Sequence, residues 1–87
     1  MNLIRHRVFV KHFKVRILPK KSLLSRFETR LKMFLENPKN PILQDHQLTG
    51  RMRNFRAFGI TGDVRVIYKL EGENLYLFDI GTHNQVY

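Results

Sequence analysis

Cysteine is absent from this sequence, so neither disulfide bonds nor thiolate metal sites are available to stabilise the fold. The chain also lacks an uninterrupted apolar stretch of the length that a signal peptide or a transmembrane helix requires. Charged residues interrupt even the N-terminal segment, residues 1–14, every few positions. We therefore expect a cytoplasmic protein with no secretory leader and no membrane partner.

Acidic residues are scarce as well, with seven Asp and Glu against 16 Lys and Arg and a net charge of +9. The imbalance lies entirely in residues 1–44, because the basic and acidic residues of 45–87 are equal in number. Such an excess attracts polyanions or acidic proteins through long-range attraction and counterion release. The charge thus predicts the class of partner, but neither sequence preference nor chemistry.

The length of 87 residues allows one domain, residues 1–87, and no second one. Residues 2–6 are apolar enough for a first strand. Phe9, Phe13 and Ile17 then recur at the spacing of one helix face. A second apolar stripe with helical spacing, which the Asn-Pro pairs at 37–38 and 40–41 terminate, consists of Leu24, Phe27, Leu31, Phe34 and Leu35.

The spacing of the apolar residues changes from helical to strand-like in the C-terminal half. Residues 38–53 are expected to be irregular, and three apolar runs of strand length follow at 55–60, 64–70 and 75–80. The short turns between these runs force the strands into an antiparallel meander. The predicted fold is therefore α+β in the order β-α-α-β-β-β. It has an antiparallel sheet with a two-helix hairpin packed on one face, and the opposite face is left free for a ligand.

Basic side chains of the predicted sheet are the first candidate functional groups. Strand alternation places Arg65, Ile67 and Lys69 on one face, and a charge held there must be paired or face solvent or ligand. Arg65 could form an ion pair with Asp63, Glu73 or Asp79, or its guanidinium could clamp a phosphate. The candidate RNA-binding residues are Arg51, Arg53, Arg56 and Lys69.

Histidines supply the second set of candidates. His6 and His12 lie in the basic N-terminal segment and are expected at the surface, whereas His46 falls in a loop and His83 directly follows the last strand. Functional groups concentrate in loops at strand ends because a rigid scaffold positions them there. Two loop histidines with a distant Asp match no recognised zinc spacing, so no metal and no cofactor is predicted.

Asp63 and Tyr87 complete the candidates. Asp63 follows Gly62 in a hairpin turn, where Asp is also common for purely local reasons. Tyr87 is four residues beyond His83, and one helical turn would bring its phenol beside that imidazole. A histidine can move protons, an arginine can stabilise a phosphorane and an aromatic ring can stack on a base. Together these groups suit RNA cleavage through the 2′-OH without metal.

Several short motifs, taken together, resemble the RelE/ParE superfamily of type II toxins, closest to its YafQ-like branch of mRNA interferases. The motifs are Leu43-x-x-His46-x-Leu48-x-Gly50, Phe55-Arg56, Gly62-Asp63-x-Arg65-Val66-Ile67-Tyr68 and Ile80-Gly81-Thr82-His83 with Tyr87. The resemblance covers nearly the whole chain and implies a microbial RNase-like fold. It implies an endoribonuclease that cleaves mRNA in the ribosomal A site and a cognate antitoxin that binds the otherwise monomeric toxin in a hetero-oligomer. The basic charge of the chain predicts that this antitoxin is acidic.

The resemblance also implies roles for single residues. His46, Asp63 and His83 match acid–base and substrate-positioning residues, Arg65 matches the arginine that contacts the scissile phosphate, and Tyr87 matches the C-terminal aromatic. Three positions depart from the YafQ-like pattern. Gly59 replaces a histidine, Val64 replaces an aromatic residue and Asp79 replaces a basic residue.

Two other functions stay open beside RNA cleavage. A ParE-like toxin would inhibit DNA gyrase without cutting RNA, although such an inhibitor has no need of a proton-transfer group at His83. A degenerate toxin would retain only antitoxin binding, because a single acid–base group contributes about 10²–10⁴-fold to a rate and this chain lacks one such histidine.

Overall fold

The computed structural model describes residues 1–87. Its strands are β1 (Asn2–Arg5), β2 (His46–Gln47), β3 (Arg56–Gly59), β4 (Val64–Glu71) and β5 (Asn74–Thr82). Its helices are α1 (Arg7–Arg16), α2 (Lys21–Glu36) and α3 (His83–Val86), with short 3-10 turns at Pro41–Leu43 and Gly50–Met52. The predicted α+β class and the order of its main elements are confirmed. None of the helices has the length and hydrophobicity to cross a membrane.

The five strands form one sheet in the order β1-β5-β4-β3-β2. The predicted meander of β3, β4 and β5 is antiparallel, because tight turns join these strands. β1 instead runs parallel to β5, with Leu3 opposite Leu75, since the helical hairpin carries the chain across the sheet before the meander begins. The expectation of an antiparallel sheet is therefore wrong for β1. The stretch 38–53, expected to be irregular, contributes β2.

The main core lies between the sheet and the helices α1 and α2. Phe9, Phe27 and Phe34 are the buried residues of the two helices, as their spacing predicted. The Phe34 ring stacks on that of Phe58 with 4.7 Å between centroids, and its edge meets Tyr68. Burial of such large side chains stabilises the fold by roughly 1.5–3 kcal/mol each.

The other face of the sheet, here called the open face, was predicted to be free. A smaller apolar cluster of Leu48, Ala57 and Ile67 is buried there, and Val86 of α3 packs against it. The C-terminal helical turn therefore covers the middle of this face. Both ends of the open face remain accessible.

A bulge in β5 brings Asp79 into contact with α1. Ile67 lies opposite Asp79 but Tyr68 lies opposite Leu77, so that Phe78 is an extra residue in β5. The buried Asp79 carboxylate accepts the backbone N–H of Ile80 at 2.8 Å and lies 2.6 Å from Nδ1 of His12. His12 was expected to be a surface residue, but its side chain is only 25% exposed because it forms this contact.

A second polar cluster, which is partly buried, fixes the sheet to the loop before β2. The Asp45 carboxylate accepts hydrogen bonds from Arg56, with Nε at 2.8 Å, and from the hydroxyl of Tyr68. Burial and the hydrogen bond to Asp45 raise the pKa of Tyr68, and the hydrogen bond to Asp45 also raises the pKa of Arg56. Tyr68 thus remains a neutral donor at physiological pH.

We expect Tyr68→Phe to lower the free energy of unfolding by about 2 kcal/mol in urea titrations, because a hydrogen bond to a charged acceptor is lost. The pKa of Tyr68 is above its ordinary 10.0 in the folded chain, so this stabilisation is complete below pH 10 and is lost as the pH rises further. The variant should therefore lose less stability than the wild type above pH 10. Tyr76→Phe is the matched control, and an equal loss in both variants would contradict the role of Asp45.

Candidate active site

Arg65 lies at one end of the open face, opposite Gly59 of β3 and Gly81 of β5. The missing side chain of Gly59 leaves room for the guanidinium, since a Cβ at that position would lie 3.2 Å from Nη1 of Arg65. Nη1 donates to the carbonyl of Thr61 at 3.2 Å, which fixes the direction of the side chain. In this chain the Arg65 guanidinium therefore lies against Gly59, the position where YafQ-like toxins carry a histidine.

The charge of Arg65 is not neutralised within the chain. The four ion pairs of the structure are His12–Asp79, Arg16–Asp79, Arg56–Asp45 and Lys69–Glu71. None involves Arg65, so the ion pairs considered for it with Asp63, Glu73 or Asp79 do not form. A half-buried guanidinium held on a rigid strand without a carboxylate is suited to bind an external anion.

His83 and Tyr87 are brought together by α3, which begins directly after β5. The N–H of Thr82 donates to the side chain of Gln85 at 2.8 Å, and the N–H of Tyr87 donates to the carbonyl of His83 at 3.1 Å. These bonds close one helical turn. The two rings meet edge to face with 4.5 Å between centroids.

Tyr87 also lies near Arg65. Burial raises the pKa of the Tyr87 phenol, and the positive charge of Arg65 opposes that rise. The phenol is therefore a neutral hydrogen-bond donor near pH 7 and lies within electrostatic reach of the guanidinium. We call the group of Arg65, His83 and Tyr87 the Arg65 site.

The other two predicted catalytic residues lie around this site. His46 pairs with Ala57, which places it on the open face at a distance of two strands from β4, about 10 Å across the sheet. Its Nδ1 is 2.9 Å from the carbonyl of Gln44, which orients the ring. Asp63 is exposed in the β3–β4 turn, and only its backbone N–H forms a bond, to Oγ1 of Thr61 at 3.2 Å.

The predicted RNA-binding residues are dispersed. Arg51 and Arg53 are exposed on the turn between β2 and β3, and Lys69 lies on the open face with its Nζ 2.6 Å from Glu71. Arg56 points to the other side of the sheet, where Asp45 holds it at 2.7 Å. The sequence offered no sign of this ion pair, because eleven residues and a strand reversal separate the two.

Two further departures from the YafQ-like pattern are explained by packing. Val64 belongs to the main core rather than to the open face. Asp79 is buried at the bulge with His12 and Arg16, so it does not occupy the Arg65 site. No three side chains of His, Asp or Glu come together in a way that could hold a metal ion.

The family model described as YafQ, a bacterial toxin of type II toxin–antitoxin systems, matches residues 1–87. The chain belongs to this family. It is 29% identical to a copper-bound mutant toxin from Helicobacter pylori, with a TM-score of 0.79 and coverage of 100% and 99% of the two chains. A mutant of YafQ from Escherichia coli has 20% identity, a TM-score of 0.85 and coverage of 99% and 97%.

YafQ from Escherichia coli in complex with DinJ has the same fold, with 20% identity, a TM-score of 0.82 and coverage of 99% of this chain and 97% of that chain. Among curated proteins, none matches this sequence. The predicted membership of the RelE/ParE superfamily, in its YafQ branch, is confirmed. The protein is thus a YafQ-family toxin.

We expect Arg65→Gln to raise the pKa of Tyr87 further, because the positive charge that favours the phenolate is removed. The measurement is an NMR titration of protein with isotopically labelled tyrosine. Lys69→Gln, which removes a cation four residues along the same strand, is the matched control and should leave the Tyr87 titration unaltered. An unchanged pKa of Tyr87 in Arg65→Gln would show that the two residues do not interact.

Proposed function

We propose that this toxin is a ribosome-dependent endoribonuclease that inhibits translation by cleaving mRNA through the 2′-OH, without a metal ion. The observation that supports it best is the unpaired guanidinium of Arg65, which lies within electrostatic reach of the Tyr87 phenol, while the Tyr87 ring contacts that of His83. This combination suits cleavage of an RNA phosphodiester, because the phosphate oxygens need a cation, the 2′-oxygen must lose a proton and the 5′-oxygen must gain one.

In the proposed reaction, the 2′-oxygen attacks the adjacent phosphorus as its proton is taken by a base. The bond from phosphorus to the 5′-oxygen then breaks, and that oxygen receives a proton, so the products are a 2′,3′-cyclic phosphate and a 5′-hydroxyl. Arg65 stabilises the negative charge of the phosphorane. His83 carries out proton transfer, which suits an imidazole near neutral pH.

The remaining groups assist from around the Arg65 site. The neutral Tyr87 phenol can donate a hydrogen bond to a phosphate oxygen, or its ring can stack on a base beside the scissile bond. His46 and Asp63 lie at the margins, where they serve the second proton transfer and substrate positioning. Arg51 and Arg53, on the exposed turn before β3, contact the RNA backbone by charge.

The partners follow from this proposal. The substrate is mRNA in the ribosomal A site, which places the protein in the cytoplasm. The antitoxin is an acidic protein that binds the basic N-terminal half and blocks the site, so that the toxin forms a hetero-oligomer with it. YafQ of Escherichia coli has been crystallised with DinJ, which supports this assignment.

A second candidate function is antitoxin binding without catalysis. It is favoured by Gly59 and Asp79, because the first has no side chain and the second is buried away from the Arg65 site. A stable complex with the antitoxin, no effect on growth and intact transcripts would support it. DNA damage with intact transcripts after induction would instead favour inhibition of gyrase.

We expect His83→Ala to slow mRNA cleavage by about 10²–10⁴-fold, because a proton-transfer group is removed. Cleavage is followed by primer extension on transcripts in a purified translation system, and toxicity by growth after induction. Asn84→Ala, an exposed neighbour in the same helical turn, is the control and should behave as the wild type. Cleavage by His83→Ala at the wild-type rate would remove His83 from the mechanism.

We expect Arg65→Gln to slow cleavage by about 10²–10³-fold in the same system, as the loss of a charge-stabilising donor does elsewhere. Arg65→Lys should recover only part of this rate, because an ammonium group cannot form the paired hydrogen bonds of a guanidinium. Full activity of Arg65→Lys would show that charge alone is required.

A further inference from the structure

An aromatic cluster occupies the end of the open face opposite Arg65. The Phe78 ring lies 5.0 Å from the ring of His6 and 4.7 Å from that of Phe55, measured between centroids. Nζ of Lys69 lies 5.9 Å from the Phe55 centroid and 5.6 Å from that of Tyr76. Lys69 thus connects Tyr76, the fourth ring, to the other three. We call His6, Phe55, Tyr76 and Phe78 the aromatic platform. Tyr76 and Phe78 belong to β5, whereas His6 directly follows β1 and Phe55 directly precedes β3.

These rings are accessible although they are large and mostly apolar. Phe55, Tyr76 and Phe78 are half-buried and His6 is exposed. They line an open groove of about 570 Å³. Rings without a covering element on a sheet face are the usual arrangement where proteins stack single-stranded bases.

Cations surround the platform. The groove is also lined by Arg5, Arg7 and Lys69, and neither Arg5 nor Arg7 forms an ion pair. Glu71 pairs with Lys69, and its carboxylate is the one negative side chain bound to these cations. The local charge is therefore positive, which suits the phosphates of a nucleic acid.

The ring of His6 is held in a fixed direction. His6 is the N-cap of α1, and its Nδ1 accepts the N–H of Val8 at 3.2 Å. The ring therefore cannot rotate freely and lies against Phe78. A preorganised ring loses less conformational entropy when a base stacks on it.

The platform and the Arg65 site lie on the same face of the sheet, and Lys69, which contacts Phe55 and Tyr76 of the platform, is on the same strand as Arg65. Lys69 is four residues beyond Arg65 in β4, about 13 Å along the strand, with Ile67 between them. A single RNA strand of a few nucleotides can reach both. An RNA strand that spans both sites would pass Val86, which packs on the apolar cluster at Ile67.

We propose that the aromatic platform binds the bases of single-stranded RNA next to the cleaved phosphodiester. The proposal rests on RNA as the substrate and extends the proposed function to a second binding site. It assigns stacking to His6, Tyr76 and Phe78 and phosphate contacts to Arg5 and Arg7. Stacking tolerates any base, so the platform adds affinity without a sequence preference.

A protein partner fits another surface better. The groove between α1 and α2 is lined by seven hydrophobic residues with Arg5 and Lys14, and two of the seven, Val10 and Leu18, are exposed aliphatic side chains. In the platform groove Ile4 is the single aliphatic residue, and the other apolar surface consists of rings. This difference favours bases over a peptide at the platform.

The test uses binding rather than cleavage. Two fluorescent DNA strands of about eight nucleotides are titrated with the protein, one with adenine bases and one with abasic sites at alternate positions. DNA lacks the 2′-OH, so neither probe can be cut by the proposed reaction. Both carry the same number of phosphates, so that a difference in affinity reports the bases.

We expect the wild type to bind the adenine strand at least tenfold more tightly than the abasic strand, the ratio that about 1.4 kcal/mol of stacking produces. Tyr76→Leu and Phe78→Leu, which keep an apolar side chain, should each reduce the affinity for the adenine strand by about tenfold and leave that for the abasic strand nearly unchanged. Phe13→Leu, an aromatic residue of the helical layer, is the matched control and should bind as the wild type.

Two results would overturn the proposal. The first is equal affinity of the wild type for both strands, or no binding to either. The second is unchanged binding of the adenine strand by the platform variants. If those variants instead lost antitoxin binding, the surface would be a binding site for protein. Base-dependent binding without any cleavage of mRNA would leave the platform in place and contradict the proposed enzyme, so the two failures are distinguishable.

Discussion

The antiparallel pairing of β4 with β5 determines where most candidate functional groups of this toxin lie. It places Arg65 opposite Gly81, so that the chain leaves β5 next to the guanidinium and turns into α3 with His83. Farther along, the bulge at Phe78 allows Asp79 to contact His12 of α1 while Phe78 stays on the open face. A shift of one residue in this register would move Arg65 to the helical side.

Local patterns allowed much of this to be predicted from the sequence. Alternation in β4 placed Arg65 and Ile67 on one face, and helical spacing identified Phe9 and Phe27 as core residues. The interval of four residues between His83 and Tyr87 indicated one turn, which the structure contains. Each of these inferences uses neighbours that are close in sequence, where geometry leaves few alternatives.

Contacts between distant residues could not be predicted. Nothing near Arg56 indicates that Asp45 binds it on the helical side, and nothing near His12 indicates a partner 67 residues away at Asp79. The parallel pairing of β1 with β5 depends equally on the path of the whole chain. For the same reason, the sequence could not show that the Arg65 guanidinium lies in the space left by the missing side chain of Gly59.

The parallel pairing of β1 with β5 also has a consequence for biosynthesis. β1 has no neighbour in the sheet until residues 74–77 have been made, and the Arg65 site needs residues still farther along, up to Tyr87. Contacts this distant in sequence form late and slowly. The Arg65 site is therefore incomplete while the ribosome still holds the C-terminal residues of the nascent polypeptide.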